Sequence, residues 1–312
     1  MLPFFTLLRR YNADILLLGV ALVWGSSYLA TKVLTLHASV FAILACRFLI
    51  AGLVMVIIWF LQRRRPEGDS LGRRGLIVAV IVGCTQALIL SLETWGVSLT
   101  SATNAGLIIS MTIVFTPVME SLWLRRWLPR PYFIAAIVAV VGVALLVSGA
   151  GWHAPSLGDL LMLAAAVIRS VHVTALGRLT AGHHYRSVSI TLVQTLVCAV
   201  LFVALDIPGL SSALTTFTGA DWFIVIYLAV ACTVFAFLVQ LWAVRRTSAA
   251  RVSLLLGTEP IWAVIIGVSL GGETLGWLGF VGAALIIVGS YRAQSIETRF
   301  RDGKTSPVVA AP

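Results

Sequence analysis

Of the 312 residues, 60% are hydrophobic and only 11% are charged, and the mean hydropathy is +1.01. About a quarter of a soluble domain is charged, so a soluble enzyme or binding module is excluded. The formal charge of +10 invites a nucleic-acid partner, but its distribution along the chain removes that reading.

Apolar runs of about 20 residues, each long enough to cross roughly 30 Å of hydrocarbon, recur along nearly the whole chain. They predict spans at 13–34, 38–61, 75–98, 101–124, 131–149, 156–178, 187–206, 221–243, 250–270 and 274–291. The expected fold is therefore all-α, a polytopic membrane protein of ten transmembrane helices. In the first span Trp24, Ser27, Tyr28 and Thr31 fall at i, i+3, i+4 and i+7, one polar face of a helix that needs a partner helix or a wet cavity. The second span holds Arg47 and the third holds Gln86 and Glu93, seven apart on one face. The sixth holds Arg169 and His172, the eighth Gln240 and Trp242, and the ninth Glu259 and Trp262. The stretch from 292 to 312 is polar and short, and is expected to be a disordered tail. The cysteines Cys46, Cys84, Cys198 and Cys232 lie inside apolar runs without metal-ligand spacing and are read as packing residues.

With residues 1–12 placed in the cytoplasm, alternate loops collect nineteen of the 22 basic residues. The other three, Lys32, Arg47 and Arg169, lie within spans, and the opposite loops hold none. Basic residues favour the cytoplasmic side, so both termini are expected there.

The chain also repeats itself. Ala13–Leu18 aligns with Gly158–Leu163 at an offset of 145, and Trp95-Gly96-Val97 aligns with Trp242-Ala243-Val244 at 147. Two units, 13–149 and 150–291, thus share one plan. Five spans each is an odd number, so the units must cross in opposite senses, an inverted repeat that places a site between them near mid-membrane. The repeat pairs Trp24 with Arg169, Ser27 with His172, Gln86 with Thr233, Glu93 with Gln240 and Thr112 with Glu259. These faces are expected to wall one central cavity used for alternating access.

The segments WGSSYLATK, CRFLIAG, SLTSATNAGLI and RRTSAARVSLLLGTEPIWAVIIGVSLGGETLGWLGFVGAALIIVG resemble the EamA-type branch of the drug/metabolite transporter superfamily. The resemblance covers about residues 13–291. It implies a basket of ten helices with cytoplasmic termini and export of small metabolites, often amino acids, or drugs. The chain departs from it at Arg126, where the second unit has Glu273, and at Ile113, where the second unit has Pro260. Pro117 follows four residues later, so the first unit's helix break is expected to be displaced.

The expected substrate site comprises Trp24, Ser27, Gln86, Trp95, Arg169, His172, Gln240, Trp242, Glu259 and Trp262. Arg169 stays charged and forks onto carboxylates; it is expected to bind a substrate carboxylate, or to pair with Glu259 or Glu93 when the site is empty. Glu93, Glu259 and His172 are candidates for proton coupling or gating. The plainer alternatives are a buried ion pair for Glu259, snorkelling for Glu93 and a packing hydrogen bond for His172. Arg47 is expected to be structural. The four tryptophans offer stacking surfaces to a flat or cationic solute.

The leading function is secondary-active or facilitative export of small organic metabolites from a bacterial inner membrane, by a monomer or homodimer, with protons as candidate coupling ions. No nucleotide-binding loop, cofactor or metal cluster is legible. The alternative is an exchanger of phosphorylated sugars or nucleotide sugars, which calls for two or more intramembrane cations converging on a dianion. A membrane hydrolase or sensor lacks a nucleophile–base set and an output domain.

Overall fold

The computed structural model describes residues 2–62, 71–125, 127–148, 155–179, 185–244, 252 and 255–305. Helices account for nearly all of them: α1 (Leu2–Leu34), α2 (Val40–Gln62), α3 (Arg73–Leu99), α4 (Ala102–Ile109), α5 (Thr112–Leu124) and α6 (Arg130–Ser148). The second part of the chain continues with α7 (Leu157–Leu179), α8 (Ser187–Leu205), α9 (Ile207–Thr216), α10 (Gly219–Ala229), a π turn at Val230–Phe235, α11 (Ala236–Val244), α12 (Glu259–Ser269) and α13 (Trp277–Thr305). Among the described residues, nine helical stretches are long and apolar enough to cross a membrane, and α12 is a shorter apolar helix.

The bundle has two chemically distinct ends. At one, the joints after α1, α3, α9 and α12 and before α7 are tied by polar contacts. Lys32 Nζ donates to the Thr100 carbonyl and lies 3.9 Å from Glu273 Oε1. Thr100 Oγ1 donates to Asp159 Oδ1 at 2.6 Å, and His37 Nδ1 lies 2.7 Å from Asp221 Oδ1. The Glu273 carboxylate accepts the amides of Ala102 at 2.6 Å and Thr103 at 2.8 Å, the unsatisfied donors that open α4. The other end carries Arg73, Arg74, Arg130, Arg186 and Arg292, and there Arg186 Nη2 donates to the Gln62 carbonyl at 2.5 Å.

Helix directions follow from these contacts. Val252 and the described residues 255–273 lie alongside α1: Val252 and Leu255 pack by Leu17, Glu259 and Trp262 back onto Gly25, Gly271 approaches Leu29, and Glu273 reaches Lys32. Helix α7 starts at the opposite end from α1 and runs alongside α4 and α5, with Asp159 by Thr100 and Ala166 by Thr112. The main core joins α4, α6, α7 and α13 through Leu107, Ile108, Met111, Tyr132, Ala139, Ala166 and Ile286. Helices α6 and α13 touch backbone to backbone, since a Cβ on Gly142 would meet the Gly282 carbonyl at 2.8 Å.

The expected fourth span is broken. Between α4 and α5, Met111, Ile113 and Val114 donate three residues back to Ile108, Ser110 and Met111 at 2.9–3.0 Å. Thr258 and Ile261 do the same to Leu255 and Thr258 at 3.2 and 3.0 Å ahead of α12. The two breaks, at Ser110–Met111 and Gly257–Thr258, differ by the repeat offset of 147. Both are tightened by i→i+3 bonds, so Pro117 does not displace the first one. Ile113 donates the bond that Pro260, lacking an N–H, cannot make.

The tail also departs from expectation. It continues α13 to Thr305, because Ala293, Ile296 and Phe300 recur at helical spacing and pack on the core that the mean polarity of the stretch conceals.

Candidate functional site

Helix α1 lies directly on α12 because Gly25 carries no side chain to hold the two apart. A Cβ there would meet Trp262 Cβ at 2.7 Å and the Glu259 carbonyl at 2.9 Å. One turn on, Tyr28 Oη donates to Glu259 Oε1 at 2.5 Å. Glu259 opens α12 immediately after the break, where Pro260 fits the first helical turn without loss.

Arg169 on α7 donates through Nη2 to Glu93 Oε1 of α3. Glu93 is buried. Charged pairs inside an apolar bundle are costly unless both partners are engaged, and here both are. The Arg169 charge also acts on Glu259 and Tyr28, so the two contacts form one electrostatic group. His172, one turn along α7, is buried with Nδ1 2.6 Å from Thr85 Oγ1 of α3. Gln194 Nε2 of α8 donates to Gln86 Oε1 of α3 at 3.2 Å.

On the other side of α1, the Trp24 indole N–H donates to the Cys232 carbonyl at 2.9 Å, and its ring meets Phe237 edge-on at 6.2 Å. The π turn makes this bond available, because its i→i+5 pattern displaces local carbonyls from the regular ladder. Arg47 Nε donates to Thr233 Oγ1 in the same turn at 3.0 Å. Ser26 Oγ lies 2.5 Å from Tyr227 Oη.

Of the residues expected from sequence, Trp24, Gln86, Glu93, Arg169, His172, Glu259 and Trp262 point between helices. Trp262 Nε1 is buried without a hydrogen-bond partner among the described residues. Ser27 returns its hydroxyl to the Trp24 carbonyl at 2.7 Å, and Gln240 is half-buried on α11. Trp95 stands apart: it is 43% exposed on the bundle surface, edge-on to Phe41 at 5.1 Å. Two residues beyond Glu93, it is rotated roughly 200° around α3, so the two cannot share a face. The side chain of Trp242 and all of Arg126 lie outside the described residues.

Four contributors were not among the expected site residues. Tyr28 sits on the polar stripe of the first span, and that was its signal. Thr85 and Gln194 carry none beyond being polar in apolar runs. Arg47 was legible as a charge but not as a neighbour of the site.

The comparisons with known proteins agree with this architecture. The model of the EamA-like transporter family matches the chain twice, over residues 12–148 and 156–292. The chain is 25% identical to the uncharacterized transporter YetK of Bacillus subtilis (strain 168), covering 91% of this chain and 87% of that one. It is 26% identical to an uncharacterized transporter of Archaeoglobus fulgidus, covering 90% and 85%. The uncharacterized inner membrane transporter YedA of Escherichia coli (strain K12) is 23% identical, covering 87% of each chain. A solved crystal structure superposes with a TM-score of 0.64 at 20% identity, covering 93% of this chain and 99% of that one, and so shares the fold. With a family model matched over both parts of a multi-pass helical chain, the protein belongs to the EamA-like transporter family and is a membrane transporter.

Proposed function

We propose that the protein exports small organic metabolites, amino acids or related amphiphilic compounds and drugs, by alternating access. It acts as a secondary-active or facilitative carrier in a bacterial inner membrane. Its ten spans form two inverted five-helix units, 13–149 and 150–291, with both termini in the cytoplasm.

One observation carries the reading: polar and charged side chains of the two units meet inside the bundle. Arg169 with Glu93 and Tyr28 with Glu259 each join one unit to the other. Two further facts support the inverted plan. Helices α1 and α7, equivalent by sequence, start at opposite ends, and both broken helices break at the same repeat position. Discontinuous helices at the interface of inverted units mark the transport site in carriers of this architecture. A solute with a cationic group would take Glu93 or Glu259, and opening the Arg169–Glu93 pair would couple binding to rearrangement.

The test is efflux of pooled amino acids and cationic drugs from proteoliposomes, with and without an imposed pH gradient. Solute-specific efflux is expected, with Arg169→Gln reducing it at least tenfold. Wild-type efflux equal to that of protein-free vesicles, or an unaffected Arg169→Gln, would overturn the reading.

A further inference from the structure

Arg47 is a charged group within a span that the contacts above leave without a counter-ion. Its Nε donates to Thr233 Oγ1 at 3.0 Å, and its guanidinium carbon lies 5.7 Å from the centre of the Phe48 ring. The Thr233 hydroxyl gives its own proton to the Leu228 carbonyl at 2.9 Å, which turns an oxygen lone pair toward Arg47. These contacts hold the guanidinium plane. They do not neutralise it.

Among the described residues, the ion pairs within 4.0 Å are Lys32–Glu273, His37–Asp221 and Arg169–Glu93, and none involves Arg47. The carboxylate whose charge reaches Arg47 is that of Glu93, and Arg169 already holds it. Glu259 is held by Tyr28. Nη1 and Nη2 of Arg47 therefore have no hydrogen-bond partner among the described residues. A guanidinium held inside an apolar span without a counter-ion is expensive to retain, and an anion reaching its free N–H groups would be stabilised there.

We infer that Arg47 is the anion-binding group of the transport site and that its ligand is a single organic carboxylate. The end-on pair Nη1 and Nη2 presents two parallel N–H donors, which match the two oxygens of a planar carboxylate. A phosphate dianion calls for a second free cation, and Arg169 is occupied. This inference rests on the transport reading above and narrows its substrates to solutes bearing a carboxylate.

Two measurements separate the inference from that reading. In the first, thermal unfolding of the purified protein is followed in acetate, acetamide, chloride and inorganic phosphate at equal ionic strength. Acetate is expected to raise the midpoint by about 3 °C over chloride at saturation, with acetamide inactive. Arg47→Gln abolishes the shift, and Arg47→Lys, which keeps the charge but not the fork, at least halves it. Equal shifts in acetate and chloride (an adventitious ion only), a larger shift in phosphate, or a full shift in Arg47→Gln overturns the inference. If Arg47→Gln does not fold, Arg47→Lys decides alone. In the second, efflux of the amino-acid pool from proteoliposomes falls at least tenfold in Arg47→Gln, and efflux within twofold of wild type overturns the inference. An acetate shift without wild-type efflux would sink the export reading and leave the Arg47 assignment standing.

Discussion

Tyr28 and Glu259, 231 residues apart in sequence, share a 2.5 Å hydrogen bond where α1 crosses α12. The bond ties the polar stripe of the first helix to a carboxylate that stands at the start of a helix after a break. Tyr28→Phe removes it without changing shape. The expected loss is about 1–2 kcal/mol, the upper range for side-chain bonds inside membrane bundles. Adding Glu259→Gln to Tyr28→Phe should cost less than the sum of the two single changes, as read from thermal unfolding in detergent. Strict additivity would mean that the contact does not form.

Glu93→Gln leaves the Arg169 guanidinium without its carboxylate. Breaking a fully buried pair costs roughly 3–5 kcal/mol; with Arg169 27% exposed and Glu93 10% exposed at the side chain, the lower part of that range is expected. The double change Glu93→Gln with Arg169→Gln removes both charges and should recover more than half of the lost stability. Size-exclusion thermostability of the three variants checks this.

Gly25 and Gly19 lie on the same helix in different surroundings. Gly25→Ala places a methyl against Trp262 Cβ and α12 backbone, and overpacking of this kind costs about 1–3 kcal/mol. At Gly19 no atom lies within 4 Å of the added methyl, so Gly19→Ala should be neutral or raise stability by up to about 1 kcal/mol through helix propensity. Opposite signs for the pair in thermal unfolding would confirm the crossing.

Glu273→Ala strips two amides at the start of α4 of their acceptor and loosens Lys32. Loss of a cap costs about 1 kcal/mol. Hydrogen exchange should accelerate several-fold at the Ala102 and Thr103 amides and remain unchanged in α6.

The membrane class, the family and the residues of the central charge pair were legible in the sequence, because an ionised side chain in an apolar run is a strong signal and the repeat indicates what it should face. Arg169 and Glu93 met as one of the expected alternatives. Trp95 did not join them: it was expected to offer a stacking surface, whereas helical phase from Glu93 decides which way it points. The π turn at Val230–Phe235 has no proline or glycine to announce it, though Trp24 takes its Cys232 carbonyl and Arg47 its Thr233 hydroxyl. The break at Ser110–Met111 was hidden for the same reason, since a proline seven residues on drew attention away from it. The helical tail was missed because average polarity masks a one-sided stripe such as Ala293, Ile296 and Phe300.

The matched interruptions after α4 and before α12 have a mechanical consequence. Gly106 lies under Ala263 and Gly267 against Thr103, so α4 and α12 are wedged together and a displacement of one would have to carry the other. Backbone at each interruption has already exchanged the regular ladder for tighter bonds, so bending there sacrifices little. The two interruptions thus lie where bending costs least, at the ends of the helices that hold Glu259 and the amides clasped by Glu273.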